Sequence, residues 1–313
     1  MTDRAKSLFA AAIVGLMWPI STYAAGESLA IDPKRLGAPA PDDAYGAYQR
    51  GLYKTALSLA QERAKTGDAE AMTLAAEILS RGLGVPRDLS EAARLYAMAA
   101  DKGVLEARFQ TALFMLEGKY LTKDLTKAKE HLEKAVAGGH KLAAFNLAQL
   151  VMSKAANDAE RKQAYDLFMV AADAGLADAQ YAVSQFLANG TGGVPYDEAK
   201  ARVWLEKAAR QSYDTAMLDY ASWLIDGIGG KKDYEAGFAW MKRAAEAGNV
   251  AAQRQLARLY ESGIGTKGDT VTAAAWYVIA KRAGLKDTKL DDLLDGLTDA
   301  EMKKAIELAN RLK

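Results

Sequence analysis

The chain has 313 residues, of which 50% are apolar and 26% charged, and its formal net charge is +1. A charge balance so close to neutral argues against nucleic acid or an acidic membrane surface as the default partner. The absence of cysteine excludes disulfides, thiol catalysis, cysteine-ligated metals and a lipid-modified N-terminal cysteine.

The N-terminal residues 1–24 have the pattern of a cleaved secretory signal peptide. Arg4 and Lys6 precede an apolar run over residues 8–20, which is too short to span a membrane comfortably. Residues 22–24 place small side chains at the last and third-last positions before a cleavage site. An uncleaved anchor helix is the alternative. The pattern predicts a periplasmic or secreted protein that is not integral to a membrane after signal removal.

Two segments with different predicted structures follow the signal peptide. Residues 25–43 contain three prolines and no apolar periodicity, which predicts a flexible linker. Residues 44–66 are predicted to form an N-terminal helix or half-repeat ahead of a repeat array.

From Gly67 the sequence repeats itself about every 36 residues. The leading position of successive units is occupied by Gly67, Gly103, Gly139, Gly175, Ser212, Gly248 and Gly284. A fixed period of this length is typical of a solenoid of stacked supersecondary units. The array is therefore predicted to comprise six units over residues 67–284.

Each unit is predicted to contain two antiparallel helices. The first has apolar residues at helical spacing and ends in a glycine turn, as at 82–86 and 263–265. The second begins after an N-capping acidic residue. These predicted caps are Asp88, Asp124, Glu160, Asp197, Asp233 and Asp269. The second helix also has an alanine four residues before each new unit, which indicates close backbone approach. The expected fold is all-α, a right-handed superhelical solenoid of antiparallel helix pairs.

This pattern resembles the Sel1-like repeat family, a relative of the tetratricopeptide repeat. The sixth unit follows the family pattern in Ala252, Leu256, Ala257, Tyr260, Gly263, Ile264, Gly265, Asp269, Ala274, Trp276, Tyr277, Ala280 and Gly284. Trp204, Trp240 and Trp276 hold the family's tryptophan position in the last three units. The resemblance covers residues 67–283, and the third unit departs most because residues 153–158 replace its glycine turn.

The end of the chain is predicted to close the array. Thr298 and Glu301 have the spacing of a capping box, and apolar residues follow at helical spacing. Residues 285–313 are therefore expected to form a C-terminal capping helix over the open apolar end of the last repeat.

Catalytic and cofactor motifs are scarce. His131 is predicted to pack in a repeat core and His140 to be solvated, and their spacing is poor for a metal. The glycine turns at 190–193 and 227–232 lack the P-loop sequence and its strand context. One aspartate per turn supplies too few oxygens for calcium. We predict no catalytic residue, no cofactor and no metal site.

Differences between repeats predict a partner-binding groove. By analogy with tetratricopeptide solenoids, the first helices line a concave face, where Phe109, Phe145 and Tyr181 form an aromatic ladder over three consecutive repeats. The other residues assigned to this groove are Leu113, Gln149, Gln185, Arg254 and Arg258. The alternative is that the ladder packs between helices, since an error of one position in helix phase would turn groove into core.

The leading interpretation is a non-enzymatic scaffold or adaptor of the bacterial cell envelope that binds a partner protein or peptide in this groove. The family resemblance implies roles in envelope assembly, polysaccharide export and signalling, and regulation of an envelope sensor is one concrete version. The alternative is an envelope enzyme, or a binder of peptidoglycan, β-lactams or polysaccharide. The sequence has no nucleophile–base or paired-carboxylate motif for an enzyme, although a carboxylate pair could be assembled across repeats.

Overall fold

The computed structural model describes residues 43–312, so the predicted signal peptide and the linker up to residue 42 lie outside the described residues. The described residues form sixteen α-helices and no strand, which confirms the all-α prediction. In chain order the helices are α1 Asp43–Gln49, α2 Tyr53–Lys65, α3 Ala69–Arg81, α4 Leu89–Asp101, α5 Leu105–Glu117, α6 Leu125–Ala137, α7 Lys141–Lys154, α8 Asp158–Asp173, α9 Ala177–Asn189, α10 Glu198–Arg210, α11 Asp214–Asp226, α12 Tyr234–Glu246, α13 Val250–Ser262, α14 Thr270–Arg282, α15 Thr288–Asp295 and α16 Asp299–Arg311.

The chain divides into two compact units, which we describe separately. Unit 1 ends at Ala156 and contains α1 to α7, and unit 2 begins at Asn157 and contains α8 to α16. Within each unit the two helices of a repeat pack together, and each second helix packs against the next first helix. The boundary lies within the third predicted repeat, where residues 153–158 replace the glycine turn.

Side-chain caps fix where the second helices begin. The predicted caps that accept a backbone N–H are Asp88, Asp124, Asp197, Asp233 and Asp269. In the third repeat the prediction was wrong, because Asn157 caps α8 and accepts the Glu160 N–H at 2.9 Å. Glu160 therefore lies in the first turn of the helix, where its negative charge interacts favourably with the positive end of the helix dipole.

Two glycines in unit 2 allow a turn to lie directly on the preceding repeat. Gly229 and Gly265 both have a φ of 69°. A Cβ at Gly229 would collide with the carbonyl oxygen of Glu198, and a Cβ at Gly265 with that of Tyr234. Since Glu198 and Tyr234 begin α10 and α12, the turn packs on the start of the second helix one repeat earlier.

Ser212 replaces glycine at the leading position of the fifth repeat. It has a φ of 62° and is the one non-glycine residue with a positive φ in residues 43–312. The left-handed conformation disfavours residues with a Cβ. The fifth repeat therefore begins with a strained residue where the other repeats have glycine.

Small residues on the second helices bring neighbouring helices together. The alanines predicted at the close approach are all fully buried: Ala99, Ala135, Ala171, Ala208, Ala244 and Ala280. Larger side chains fill the space between them. The core of unit 1 is centred on Leu74, Ile78 and Tyr96, and that of unit 2 on Leu256 and Trp276.

Both ends of the described chain contain one more helix than the sequence pattern predicts. Residues 44–66 contain α1 and α2, which are separated at Gly51. Residues 285–313 contain α15 and α16, and Thr298 caps α16 in a capping box with Glu301. The long helix α16 packs against α14, the second helix of the sixth repeat.

Candidate functional site

The aromatic ladder is buried within the units. Phe109, Phe145 and Tyr181 are only 5%, 7% and 9% exposed. In unit 1 the ring of Phe109 packs against that of His140, with centroids 4.5 Å apart, and in unit 2 Tyr181 packs against Tyr213 at 5.3 Å. His140 and Tyr213 are the N-cap residues of α7 and α11. A ladder ring is thus covered by the start of the next first helix, and it offers little area to solvent.

His140 has a structural role that the sequence did not predict. The expectation of a solvated ring was wrong, because its side chain is only 3% exposed. Its Nδ1 accepts the N–H of Ala143 at 3.1 Å, which places the proton of the neutral ring on Nε2. Nε2 then donates to the Glu106 carboxylate, 3.0 Å away. His140 therefore caps α7 and connects it to α5. Because both ring nitrogens are used in these hydrogen bonds, neither is available to bind a metal ion.

His131 lies half-buried on α6, and its Nδ1 is buried without a hydrogen-bond partner. Burial lowers the pKa of His131, and the nearby charges of Arg108 and Lys134 lower it further. The ring is therefore neutral at physiological pH. No cluster of three or more side chains that could bind a metal occurs in residues 43–312.

In the second, third, fifth and sixth repeats, a partly exposed row of the first helices lies one position after the ladder position, whereas Leu74 at that place in the first repeat is buried. Its members share a partly exposed environment and recur at the repeat period, and each is accompanied by the residue three positions later. We call these sets the unit 1 face, formed by Gln110, Leu113, Asn146 and Gln149, and the unit 2 face, formed by Asp219, Ser222, Gln255 and Arg258. Four of the predicted groove residues, Phe109, Phe145, Tyr181 and Gln185, are instead buried.

The amides of the unit 1 face are oriented by their own helices. The Nε2 of Gln110 donates to Glu106 Oε1 at 2.9 Å, and the Nδ2 of Asn146 donates to the carbonyl of Leu142 at 2.9 Å. One N–H of each amide is used in this way. The amide oxygen and the second N–H of each group are not used in these two bonds.

On the unit 2 face, Asp219 connects the exposed row to the ladder. Its Oδ2 accepts the Tyr181 hydroxyl at 2.9 Å. Burial of the carboxyl raises the pKa of Asp219 to about 6, and the Tyr181 hydrogen bond opposes this increase only in part. Burial and the Asp219 charge in turn raise the pKa of Tyr181 far above its ordinary value.

Arg254 and Arg258, the predicted basic end of the groove, form ion pairs within the chain. Arg258 Nε and Nη2 lie 2.8 Å and 2.6 Å from Asp287 Oδ2, and Arg254 Nε lies 3.9 Å from the same oxygen. Asp287, whose side chain is 2% exposed, also caps α15 by accepting the Leu290 N–H. The sequence analysis missed Asp287. Its position three residues before apolar Leu290 is the signal that could have identified Asp287 as the N-cap of a helix.

The tryptophans of the repeats have different environments. Trp276 is 2% exposed, in agreement with a core position. Trp204 and Trp240 are half-buried, and each has a cation over its ring: Lys207 Nζ lies 3.5 Å from the Trp204 centroid, and Arg243 lies 5.0 Å from that of Trp240. Lys207 and Arg243 therefore each cover one face of these rings, which leaves less ring surface for a sugar to stack on.

In residues 43–312, no helix combines the length and the apolar character that crossing a membrane requires.

Comparison with known proteins matches the described array to one family. The Sel1 repeat model matches residues 69–104, 105–140, 177–213, 215–249 and 250–285, which together make up more than half of the chain. Chitin synthase regulatory factor 3 of Schizosaccharomyces pombe is 29% identical over 189 residues, which cover 58% of this chain and 20% of the yeast protein.

Two solved structures share the fold. The c5321 protective antigen of uropathogenic Escherichia coli, described as having an SLR fold, is 25% identical with a TM-score of 0.72, over 86% of this chain and 61% of that one. A Sel1 repeat protein from Oxalobacter formigenes is 23% identical with a TM-score of 0.65, over 79% of this chain and 100% of that one. The chain thus spans about a fifth of the yeast relative and three-fifths of the c5321 chain. On its repeat matches, it belongs to the Sel1 repeat family, whose helical arrays serve as protein–protein interaction scaffolds.

Proposed function

We propose that this protein is a non-enzymatic scaffold of the bacterial cell envelope that binds a partner protein or peptide on its first-helix faces. Family membership supports the scaffold role, and the signal-like residues 1–24 support export. One relative is by name a regulatory factor, which fits a protein that acts by binding. Control of an envelope sensor or of envelope assembly is the form of this function that we favour.

The observation that carries the proposal is the repetition of oriented amides on the unit 1 face. Gln110 and Asn146 occupy the same position in adjoining repeats, and each amide is held by its own helix at 2.9 Å. Amides at the repeat spacing can pair with peptide groups several residues apart in an extended ligand, and Leu113 adds an apolar contact. Because the amides are already oriented, their side chains would lose little conformational entropy when a ligand binds.

Site-specific photo-cross-linking tests this proposal. A benzoylphenylalanine residue is placed at Gln110, at Asn146 or at the control position Met98 on α4, which is 39% exposed. In the native envelope, we expect the first two positions to give the same discrete adduct and Met98 to give none. Adducts of equal yield at all three positions, or none at Gln110 and Asn146, would contradict binding at this face.

An envelope enzyme is the second candidate, and Asp219 is the observation that favours it. Its pKa of about 6 is of the kind seen in general acids, and its Tyr181 partner could share the proton. Purified protein would then hydrolyse muropeptides or a β-lactam, and Asp219→Asn would abolish turnover. A preparation without turnover on either substrate leaves the scaffold as the function.

A further inference from the structure

We infer that Arg254 and Arg258 form a carboxylate-binding site for an acidic segment of the partner protein. This inference rests on the proposed scaffold function, since it specifies the chemistry of the partner at the unit 2 face. Both side chains project from α13 four residues apart, and both point toward one oxygen of Asp287. The site is therefore defined by two converging guanidinium groups rather than by general surface charge.

The two arginines share a single negative charge. Asp287 supplies the only carboxylate within 4.0 Å of either guanidinium in the described part of the chain. Arg258 makes both close contacts with Oδ2, whereas Arg254 Nε is 3.9 Å away, beyond hydrogen-bond distance. The Nε atom of Arg254 is also buried without an acceptor. A buried donor with no partner is unfavourable, so the guanidinium of Arg254 is not fully satisfied within the described part of the chain.

Asp287 cannot satisfy both arginines by moving. Its Oδ1 accepts the Leu290 N–H at the start of α15, and its backbone N–H donates to the Tyr277 hydroxyl at 3.0 Å. The carboxylate is thus fixed from two sides in a nearly inaccessible position. The unbalanced positive charge consequently remains on the arginines, whose side chains are 31% and 43% exposed and can be reached from solvent.

A carboxylate of a partner protein would neutralise the unbalanced positive charge of the two arginines. The planar guanidinium presents paired N–H donors that a carboxylate can accept together. Of the other residues on the unit 2 face, Ser222 and Gln255 carry no charge, and the Asp219 carboxyl is turned to the Tyr181 hydroxyl, which donates to its Oδ2 at 2.9 Å. A free anion would keep most of its water at such an open site. A peptide would add contacts with Gln255, the residue after Arg254 on α13, so an acidic peptide is the occupant that the surroundings favour.

Fluorescence anisotropy of the full chain with fluorescein-labelled hexaglutamate tests the inference, with hexaglutamine as the uncharged control peptide. We expect wild type to bind hexaglutamate, and Arg254→Gln and Arg258→Gln each to weaken binding by about tenfold or more, as expected for loss of a charge-assisted hydrogen bond. Arg210→Gln is the matched control, because Arg210 pairs with Glu206 on α10, a second helix. It should bind as wild type does. Unchanged circular dichroism melting would show that the variants are folded.

The Asp287→Asn variant distinguishes a binding role of the two arginines from a purely structural one. Asparagine can still cap α15, but it removes the charge that competes for the arginines. We therefore expect this variant to bind hexaglutamate more tightly than wild type does, and the arginine substitutions to abolish that gain.

Three results would overturn the inference: no binding of hexaglutamate, equal binding by Arg254→Gln and wild type, or displacement by inorganic phosphate as effective as by unlabelled hexaglutamate. If hexaglutamate fails but cross-linking at Gln110 and Asn146 still gives one adduct, the acidic-partner inference is wrong and the scaffold function stands. If the cross-links also fail, both proposals are wrong.

Discussion

Asp219 should make unit 2 less stable at neutral pH than at acidic pH. Its carboxyl is desolvated on α11, and its pKa rises from 3.8 to about 6 in the folded protein. At about 1.4 kcal/mol per pKa unit, this shift corresponds to a destabilisation of about 3 kcal/mol once the group is ionised. The folded state binds the proton more tightly, so the stabilisation is complete below about pH 4 and is lost as the pH rises through about 6.

Asp219→Asn should remove this penalty, because the amide is neutral at every pH and its oxygen can still accept the Tyr181 hydroxyl. We expect the free energy of unfolding to rise by about 2–3 kcal/mol at pH 7 and to match wild type near pH 4. Urea denaturation followed by tryptophan fluorescence is the assay, since Trp204, Trp223, Trp240 and Trp276 all lie in unit 2. Their signal therefore reports the unit that contains the substitution.

Asp166→Asn on α8 provides the matched control. Asp166 is 57% exposed and pairs with Lys162, so its loss should change stability by less than about 1 kcal/mol. The reasoning would be refuted if Asp219→Asn were no more stable than wild type at pH 7, or if its gain were the same at pH 4.

Three further substitutions test the packing of the repeats. Phe109→Ala should lower the free energy of unfolding of unit 1 by about 3–5 kcal/mol in circular dichroism melts, because the ring is buried against His140; a loss below about 1 kcal/mol would show that the ring is not packed as described. Ser212→Gly should stabilise unit 2 by about 1 kcal/mol in urea denaturation, since glycine relieves the positive φ, and a destabilised variant would contradict this. Gly265→Ala should lower the melting temperature more than Gly248→Ala does: both have a positive φ, but only the first Cβ would collide with a backbone oxygen. Equal losses would disprove the close approach of that turn.

The repeat, the helix pairs and most of the caps could be predicted because they depend on local chemistry. Glycine at a positive φ and aspartate at an N-cap are required by the backbone at their own positions, as Gly265 and Asp269 illustrate. The third repeat lacks this local signal. Asn157 and Glu160 are both plausible near a helix start, and only the structure shows that Asn157 accepts the N–H.

The exposed face was harder to predict than the helices that form it. One residue turns the direction of a side chain by about 100° around a helix, so a shift of one position separates buried Phe109 from partly exposed Gln110. Residue type does not resolve this choice, because aromatic side chains are frequent both in cores and at binding surfaces. The phase is set by packing against helices distant in sequence, which a single sequence does not reveal.

Long-range polar pairs were missed for the same reason. His140 contacts Glu106, which is 34 residues away, and Asp287 contacts Arg258, which is 29 residues away. The residues next to each partner in the sequence form no pattern that would predict the contact. The short helix α15 also escaped prediction, because eight residues give little periodic signal and depend on tertiary packing.

The covering of a ladder ring by the next helix start makes the array directional. Phe109 is completed by His140, and Tyr181 by Tyr213, so a repeat deleted or frayed on the C-terminal side leaves its predecessor with an uncovered ring. Within each unit, a repeat therefore depends for part of its stability on the repeat that follows it. In the sixth repeat Arg254 occupies the ladder position and meets the carboxylate of Asp287 instead of a ring. At that point a charged contact replaces the aromatic one.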